Sequence, residues 1–237
     1  MRFETTNWSM ILRATVGESS EAREALAGLC QTYWPPVYAL IRRRGLSASD
    51  AEDLTQAYFT RFLEKGYLHD FRPEVGRFRT FLRASVSHFL SNEWDRERAL
   101  KRGGGRPLIS LDAREAVEGH LREPADPATP ETVFEREWAA SVLRRCLDRL
   151  RQEQDGGGGP SRFERLKPFL VGEGPASGYA EVAGELGVSE STVRVAVHRL
   201  RKRFGVLLRE EIARTVADPA DVDAEIRWLL SALRGTN

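Results

Sequence analysis

The chain has 237 residues, of which 41% are hydrophobic, and its formal net charge is +1. This length and composition accommodate one large domain or two small ones around a buried core, and they exclude a chain that is disordered throughout. Cys30 and Cys146 lack the spacing of a disulfide or metal framework, and no apolar run resembles a signal peptide or a membrane span. We therefore expect a cytoplasmic protein with reduced, buried thiols.

Charge is unevenly distributed along the chain. Residues 72–106 contain nine Lys or Arg against four Asp or Glu, and residues 190–204 contain five against one. Between them, residues 112–137 contain three basic and eight acidic residues. Two basic segments separated by an acidic one predict two nucleic-acid-binding faces and a connector.

The first half of the chain shows helical periodicity. A short amphipathic segment is expected over residues 5–16, followed by a helical region over residues 19–44. Within that region Pro35 and Pro36 predict a kink or a junction between two helices. Ser47 or Ser49 is expected to cap the next helix, whose first turns are acidic.

The acidic start of that helix is open to three interpretations. Carboxylates in the first turns suit the helix dipole, and the same cluster suits a docking face for another protein. A magnesium-dependent nucleic-acid enzyme is the third interpretation, but the chain offers no second set of carboxylates or histidines to complete the site. We therefore expect no metal, no cofactor and no catalytic residue. The residues of the cluster are Asp50, Glu52, Asp53 and Gln56.

A long helix is predicted over residues 77–102, and its basic residues are interleaved with aromatic ones. Arginines beside aromatic rings suit single-stranded DNA, in which bases stack on rings and phosphates meet cations. The pattern of Phe78, Phe81 and Phe89 favours the core. For Trp94, burial and exposed stacking remain open.

The second half of the chain begins with a proline-rich acidic linker over residues 106–130. A helix from Thr129 to about Gln154, a glycine-rich loop over residues 155–160 and a helix over residues 163–171 are expected to follow. The last predicted helix covers residues 221–233.

Residues 179–204 predict two helices joined by a tight turn. Ala183 supplies a small residue where the helices meet, Gly187 a left-handed turn, and Val193 an apolar anchor. Ser189 is the expected N-cap of the second helix, which either continues past Gly205 or hinges there. The side chains expected to be buried are Val182, Leu186, Val188, Val193 and Val197.

In a helix-turn-helix, the second helix enters the DNA major groove. Its first turns are expected to read base edges, and the later part to contact phosphates, which position the protein without specifying sequence. An ordinary helical hairpin with a solvated basic face is the alternative. The candidate base readers are Ser191, Thr192, Arg194 and Val195. His198 shares their outward face, and the candidate phosphate contacts are Arg199, Arg201, Lys202 and Arg203.

With these segments in view, the chain resembles an RNA polymerase sigma factor of the small, two-domain extracytoplasmic-function type, over about residues 20–208. The sequence DAEDLTQAYFTRFL at 50–63 is similar to the segment that grips the clamp helices of the largest polymerase subunit. The helix at 78–98 is similar to the element that opens the promoter and captures minus-ten bases of the non-template strand. The sequence SESTVRVAVHRLRKRF at 189–204 is similar to the helix that reads the minus-thirty-five element.

The resemblance implies an all-α protein of two helical domains joined by a flexible acidic linker. Residues 1–105 would dock on polymerase and melt the minus-ten element, and residues 131–208 would carry the helix-turn-helix. The implied protein is not an enzyme, and its partners are promoter DNA and core RNA polymerase, through the clamp helices and the flap. The implied polymerase contacts are Asp50, Glu52, Asp53, Gln56 and Phe59. The implied minus-ten contacts are Arg79, Arg83, His88, Asn92, Trp94, Arg96 and Arg98.

The chain departs from the family pattern in the melting helix and at its C-terminal part. His88 stands where the family has asparagine, Asn92 where it has aspartate, and Phe81 where it has tryptophan. Residues 209–237 form a helical extension outside the family core. Two roles are open for this extension, namely a stabilising cap for the second domain or a self-regulatory element packed on that domain. Self-regulation would make a separate anti-sigma factor unnecessary, and such a factor is the other regulatory partner left open.

One alternative function is a polymerase-independent helix-turn-helix regulator that binds duplex DNA as a dimer, with residues 1–125 as a sensor or dimerisation domain. The aromatic and basic helix at 78–102 discriminates between the two functions, because a protein that binds only duplex DNA has no use for it.

Overall fold

The computed structural model describes residues 20–71, 76–103, 129–154, 159–170, 178–216 and 218–234. The all-α prediction is confirmed, because within those residues the regular elements are eight α-helices and three short 3₁₀ helices, with no strand. The expected segment at 5–16, nearly all of the linker and most of the glycine-rich loop lie outside the described residues. The α-helices are α1 Ser20–Arg42, α2 Ala48–Glu64, α3 Phe78–Gly103, α4 Pro130–Gln154, α5 Gly159–Leu166, α6 Gly178–Leu186, α7 Glu190–Ala213 and α8 Val222–Arg234.

The two prolines of α1 lie inside one uninterrupted helix, so the chain does not divide there into two helices. Each proline removes a backbone donor and disfavours the helix interior. Pro36 is buried beside the core residues Tyr33 and Val37. Packing on this face therefore offsets the loss of helical hydrogen bonds.

The predicted helix at 163–171 proves to be two shorter elements. α5 ends at Leu166, and a 3₁₀ helix covers Lys167–Phe169. Pro168 explains the change, since a proline disfavours the α conformation of the preceding residue and removes a donor.

The turn between α6 and α7 has the predicted local geometry. Gly187 has a φ of 64°, and the Val188 amide donates to the Ala183 carbonyl at 3.0 Å, which closes the end of α6. Ser189 caps α7, because its hydroxyl accepts a hydrogen bond from the Thr192 amide at 3.2 Å.

α7 continues without interruption through Gly205 to Ala213, so the expected alternative of a hinge at Gly205 is not seen. Of the side chains predicted to be buried, Val182, Val193 and Val197 are buried and Leu186 is half-buried. Ala183, the small residue expected where the helices meet, is buried as well. Val188 is an exception and is exposed, because it lies in the turn rather than on a helix face.

The chain divides into two compact units. The first unit comprises Met1–Ser141 together with Ala213–Asn237, and the second comprises Val142–Ile212. The C-terminal helix α8 therefore belongs with the first unit, whereas both roles considered for it had placed it on the second domain.

An aromatic cluster forms the core of the first unit. Phe78 of α3 meets Tyr33 of α1 edge to face, with ring centroids 5.2 Å apart, and Phe89 meets Tyr58 of α2 at 5.5 Å. All four side chains are buried. Burial of large aromatic side chains on α1, α2 and α3 fixes these three helices against one another.

The second unit is held by apolar packing and by ion pairs between α4 and α7. Val142, Cys146 and Leu150 of α4 are buried, as is Ile212 of α7. Arg145 lies 2.9 Å from Glu211, an α7 carboxylate that is almost completely buried. No helix in the described part of the chain is long and apolar enough to cross a membrane.

Candidate nucleic-acid interface

The first part of α2 presents an acidic surface. Ser47 caps the helix by accepting from the Asp50 amide at 3.1 Å and donating to the Asp50 carboxylate at 2.7 Å. Glu52, Asp53 and Gln56 follow on the exposed side of the helix, while Leu54 faces the core. The capping role and an exposed acidic face thus coexist, with Asp50 serving the cap.

Phe59 does not belong to that exposed face. Its side chain is 5% exposed and stacks against Trp34 of α1, with centroids 5.6 Å apart and planes 14° apart. The resemblance had assigned Phe59 to polymerase binding, and its burial corrects that assignment because a docking partner has no access to the ring.

The outer surface of α3 carries a polar stripe. His88, Asn92 and Arg96 lie four residues apart, which places them on one side of the helix, and all three are exposed. Trp94 is half-buried, so part of the indole remains available for stacking. Arg98 is also exposed on the same half of the helix.

Two of these arginines already have carboxylate partners. Arg96 lies 3.1 Å from Glu93, which also binds Arg61 of α2, and Arg98 lies 3.7 Å from Asp95. The side chains of both arginines are more than half exposed. The Arg98–Asp95 pair is exposed and contributes little stability, so DNA phosphates can compete for Arg98, whereas Arg96 pairs with the buried Glu93 carboxylate.

Arg79 is placed differently from the other predicted minus-ten contacts. Its side chain is buried and forms ion pairs with Glu135 of α4 and Glu225 of α8. Arg83 is half-buried and lies 3.3 Å from the same Glu135 carboxylate. Arg79 is therefore corrected from a DNA contact to an internal residue of the first unit, while Arg83 stays at the edge of the α3 surface.

The first turns of α7 are open to solvent. The candidate base readers Ser191, Thr192, Arg194 and Val195 are all exposed, and Val195 has half of its side-chain surface accessible. Thr192 and Ser191 hydroxyls lie within 2.9 Å of the Ser189 hydroxyl, so the three form one polar cluster at the helix start. An exposed valine among hydroxyls and an arginine can contact a thymine methyl group.

Arg194 is held on two sides. Its guanidinium donates through Nε and Nη2 to one Glu190 carboxylate oxygen, with the Nε contact at 3.0 Å, and lies 4.5 Å from the centre of the Tyr179 ring. Tyr179 in turn stacks on Phe169 at 4.4 Å with planes 16° apart. No sequence pattern predicts this arrangement, because Phe169, Tyr179 and Arg194 come from three separate elements.

The later basic residues of α7 divide into two groups. His198, Arg199 and Lys202 are exposed on the outer surface. Arg201 instead donates two hydrogen bonds to the Phe169 carbonyl, at 2.9 and 2.7 Å. Arg203 binds Glu153 of α4 at 2.7 and 2.6 Å, and this hydrogen bond lowers the pKa of the Glu153 carboxyl.

These contacts separate a structural subset from the surface available to DNA. Arg201 ties α7 to the element that precedes α6, and Arg203 ties α7 to α4. Arg201 is also exposed, but its guanidinium is bound to the Phe169 carbonyl, so His198, Arg199 and Lys202 are the better candidates for phosphate contact.

The acidic residues do not assemble a metal site in the part of the chain that the structure describes. No group of three or more His, Cys, Asp or Glu side chains has a metal-binding arrangement there. Glu52 and Asp53 are exposed on the surface of α2.

Part of the first unit matches a known family model. Residues 29–99, which span α2 and nearly all of α3, match the model of sigma-70 region 2. The chain is also 29% identical over 185 residues to the ECF RNA polymerase sigma factor SigE of Mycolicibacterium smegmatis. That similarity covers 78% of this chain and 60% of the relative, so the chain matches less than two thirds of the relative's length.

No solved structure matches the chain. The region 2 match falls on the helices that carry the acidic face and the aromatic, basic face, and the SigE similarity extends well beyond region 2. These two comparisons support the resemblance to RNA polymerase sigma factors of the extracytoplasmic-function type.

Proposed function

We propose that this protein is a transcription initiation factor that binds core RNA polymerase and directs it to specific promoters. One observation carries the proposal: the chain combines a sigma-70 region 2 with a separate unit whose capped, basic helix is exposed. The first supplies a docking surface and a surface for melted DNA, and the second supplies a duplex-reading surface.

The docking surface is the exposed side of α2, with Glu52, Asp53 and Gln56. The opposite side of α2 is buried in the aromatic core, which holds the helix and therefore its exposed side in place. A partner with basic side chains, as the clamp helices of the polymerase are expected to present, complements this charge.

Promoter contact is divided between α3 and α7. On α3, the stripe of His88, Asn92 and Arg96 with Trp94 binds the melted non-template strand of the minus-ten element. On α7, the first turns read the minus-thirty-five duplex, while Arg199 and Lys202 bind phosphates. Two modest contacts on one DNA molecule reinforce each other through effective concentration.

A pull-down with bacterial core RNA polymerase tests the docking surface. The wild-type protein is expected to be retained, and Asp53→Arg is expected to abolish retention because it reverses a charge at the centre of the acidic face. Asp70→Arg is the matched control, since Asp70 is also exposed in the first unit but lies outside α2. Equal loss in both variants would refute docking through α2.

A promoter-selection experiment tests the proposed DNA contacts of α3 and α7. The holoenzyme, incubated with a randomised duplex library, is expected to enrich two elements separated by a fixed spacing. Enrichment of a palindrome by the protein alone, without polymerase, would instead establish the dimeric duplex-binding regulator.

A further inference from the structure

Arg79 lies at the centre of a buried cluster that the region 2 helices alone do not explain. Its guanidinium carbon is 3.5 Å from the centre of the Trp228 ring and 5.0 Å from the centre of the Trp138 ring. Its nitrogen atoms bind the carboxylates of Glu135 and Glu225. The Arg79 guanidinium is therefore surrounded by two aromatic rings and two carboxylates.

The cluster joins three segments that are far apart in sequence. Arg79 comes from the first turn of α3, Glu135 and Trp138 from the start of α4, and the remaining partners from α8. The two tryptophans also contact each other, with centroids 5.7 Å apart. All of these residues belong to the first compact unit.

The α8 carboxylate is committed to this contact. Glu225 is 1% exposed, and besides Arg79 it pairs with Arg77 at 3.0 Å. A buried carboxylate is stable only when it is paired and hydrogen-bonded, so α8 cannot leave α3 without exposing or unpairing charges on both sides. Val222 and Leu229 of α8 are buried as well, which adds apolar contact to the ionic one.

α3 is consequently held at its start from two directions. Phe78, Leu82 and Phe89 are buried in the aromatic core with α1 and α2. Arg79 and Arg83, four residues apart on another side of the helix, are bound by α4 and α8. Because α3 is a continuous rod, its first turn sets the orientation of the stripe that follows from His88 to Arg96.

We propose that α8 contributes to promoter opening. In this proposal Glu225 and Trp228 are positioning residues, which act on α3 through Arg79. The proposal rests on the proposed function of α3 in capturing the melted strand. The proposal gives α8, which lies outside the family core, a role in the first unit. It also gives the buried Arg79 a role that requires no contact with DNA.

The test uses holoenzyme and a promoter that the wild-type holoenzyme selects from the randomised library. Opening of the full duplex is followed by permanganate reactivity of the minus-ten thymines. Transcription is measured on the duplex and on a template whose minus-ten region is already unpaired. The unpaired template keeps the non-template sequence and changes only the template strand. Because unpairing the template in advance removes the cost of melting, a misoriented α3 should cost less activity on this template than on the duplex.

Glu225→Gln is expected to reduce opening of the duplex promoter about 2-fold to 30-fold, the range of coupling effects between contacting elements. Transcription from the unpaired template should fall less than transcription from the duplex, and retention on core polymerase should stay at the wild-type level. Asp221→Asn is the matched control on an exposed carboxylate just before α8, and it should behave as wild type in every assay. Glu225→Asp, which keeps the charge, should restore part of the duplex activity.

Two results would overturn the proposal. Unchanged opening of the duplex by Glu225→Gln would show that α8 has no part in melting. Equal loss on both templates would show that α8 only keeps the unit folded. A milder variant, Trp228→Phe, preserves an aromatic ring and extends the test if Glu225→Gln proves unstable.

A second measurement does not depend on polymerase. Hydrogen exchange of the free protein should show weaker protection of the α3 amides over residues 82–90 in Glu225→Gln than in wild type. Unchanged protection there would contradict the proposal even if the protein acts as a sigma factor. Failure of the wild-type protein to bind core polymerase would refute the proposed function instead.

Discussion

Arg194 is pre-oriented before any DNA is present. The Tyr179 ring lies against one face of its guanidinium group, and Glu190 binds one edge. A planar guanidinium that is already oriented loses less conformational entropy when it forms a bidentate contact with a base. The Glu190 pair is exposed and one helical turn away, so its net contribution is small and DNA can displace it.

We predict that Tyr179 influences base preference through Arg194. Tyr179→Leu should reduce discrimination at one base pair of the minus-thirty-five element by about 0.5–1 kcal/mol, the size of an exposed cation–π contact. Tyr179→Phe should retain the preference because the ring remains. Binding of selected and single-substituted duplexes by the holoenzyme measures the effect.

The double variant separates positioning from folding. If Tyr179 acts through Arg194, then adding Tyr179→Leu to Arg194→Ala should cost nothing further. Arg194→Ala alone should cost about 1–3 kcal/mol on the selected sequence if it makes a bidentate base contact. An equal loss of binding free energy on scrambled DNA would show that Arg194 contacts only phosphate.

Arg199 and Arg201 make contrasting predictions although both are basic and lie two residues apart on α7. Arg201→Gln should lower the free energy of unfolding of the second unit by about 1 kcal/mol, because two hydrogen bonds to the Phe169 carbonyl are lost. Arg199→Gln should leave stability unchanged. It should instead make the salt dependence of duplex binding less steep by about 0.9 in the logarithmic slope, as expected for one phosphate contact.

Urea denaturation and a salt titration of DNA binding give the two readouts. If Arg201→Gln changed the salt slope as much as Arg199→Gln, then Arg201 would be a phosphate contact in the complex and its carbonyl contact would be dispensable.

At the level of the helices and turns, substitution by alanine is expected to affect stability differently at Gly187 than at Gly184 and Gly205. An added Cβ would meet nothing within 4 Å at Gly184, Gly187 or Gly205, so space does not distinguish them. Gly187 has a φ of 64°, whereas Gly184 lies inside α6 and Gly205 inside α7. Only the backbone conformation separates the three.

We therefore predict opposite signs for the same change. Gly187→Ala should destabilise the second unit by about 1–2 kcal/mol, because a side chain is strained in the left-handed region. Gly184→Ala and Gly205→Ala should each stabilise it by about 0.5–1 kcal/mol, because alanine favours the helix interior. Thermal unfolding measures all three, and destabilisation by Gly205→Ala would indicate that α7 needs a hinge there.

Local chemistry explains why parts of the fold could be predicted from the sequence. The Ser47 and Ser189 caps and the Gly187 turn depend on residues within five positions of one another, so the sequence displays both partners together. The helical period likewise identified Phe78 and Phe89 as core residues. The continuous helix through Pro35 and Pro36 was less predictable, because tertiary packing of Pro36 decides it.

The site could be predicted only where exposure follows from helix position. Glu52, Asp53 and His88 are exposed as the pattern indicates. The pattern of charges does not show which arginine pairs with which carboxylate. It therefore does not distinguish Arg79 from the other basic residues of α3. Its burial depends on α8, a partner at the opposite end of the sequence.

At the scale of the whole molecule, the first unit is built from two separate stretches of chain that flank the second. We predict that deleting residues 218–237 lowers the free energy of unfolding of the first unit by about 3 kcal/mol or more, because it unpairs buried arginine and exposes apolar surface. Hydrogen exchange should localise the loss to α3 and the start of α4.

Deletion of residues 235–237 alone is the matched control, since it leaves α8 intact. Equal loss of protection in α6 would show that the deletion unfolds the chain as a whole, contrary to this prediction.

The order in which the ribosome makes the chain gives the position of α8 a further consequence. α3 emerges early, whereas α8 follows only after the entire second unit has been synthesised. At a typical elongation rate, the interval is on the order of 10 seconds. During that time Arg79 has neither the Glu225 carboxylate nor the Trp228 ring beside it. A nascent chain can therefore form its aromatic core promptly, but it completes the first unit only after the second has been translated.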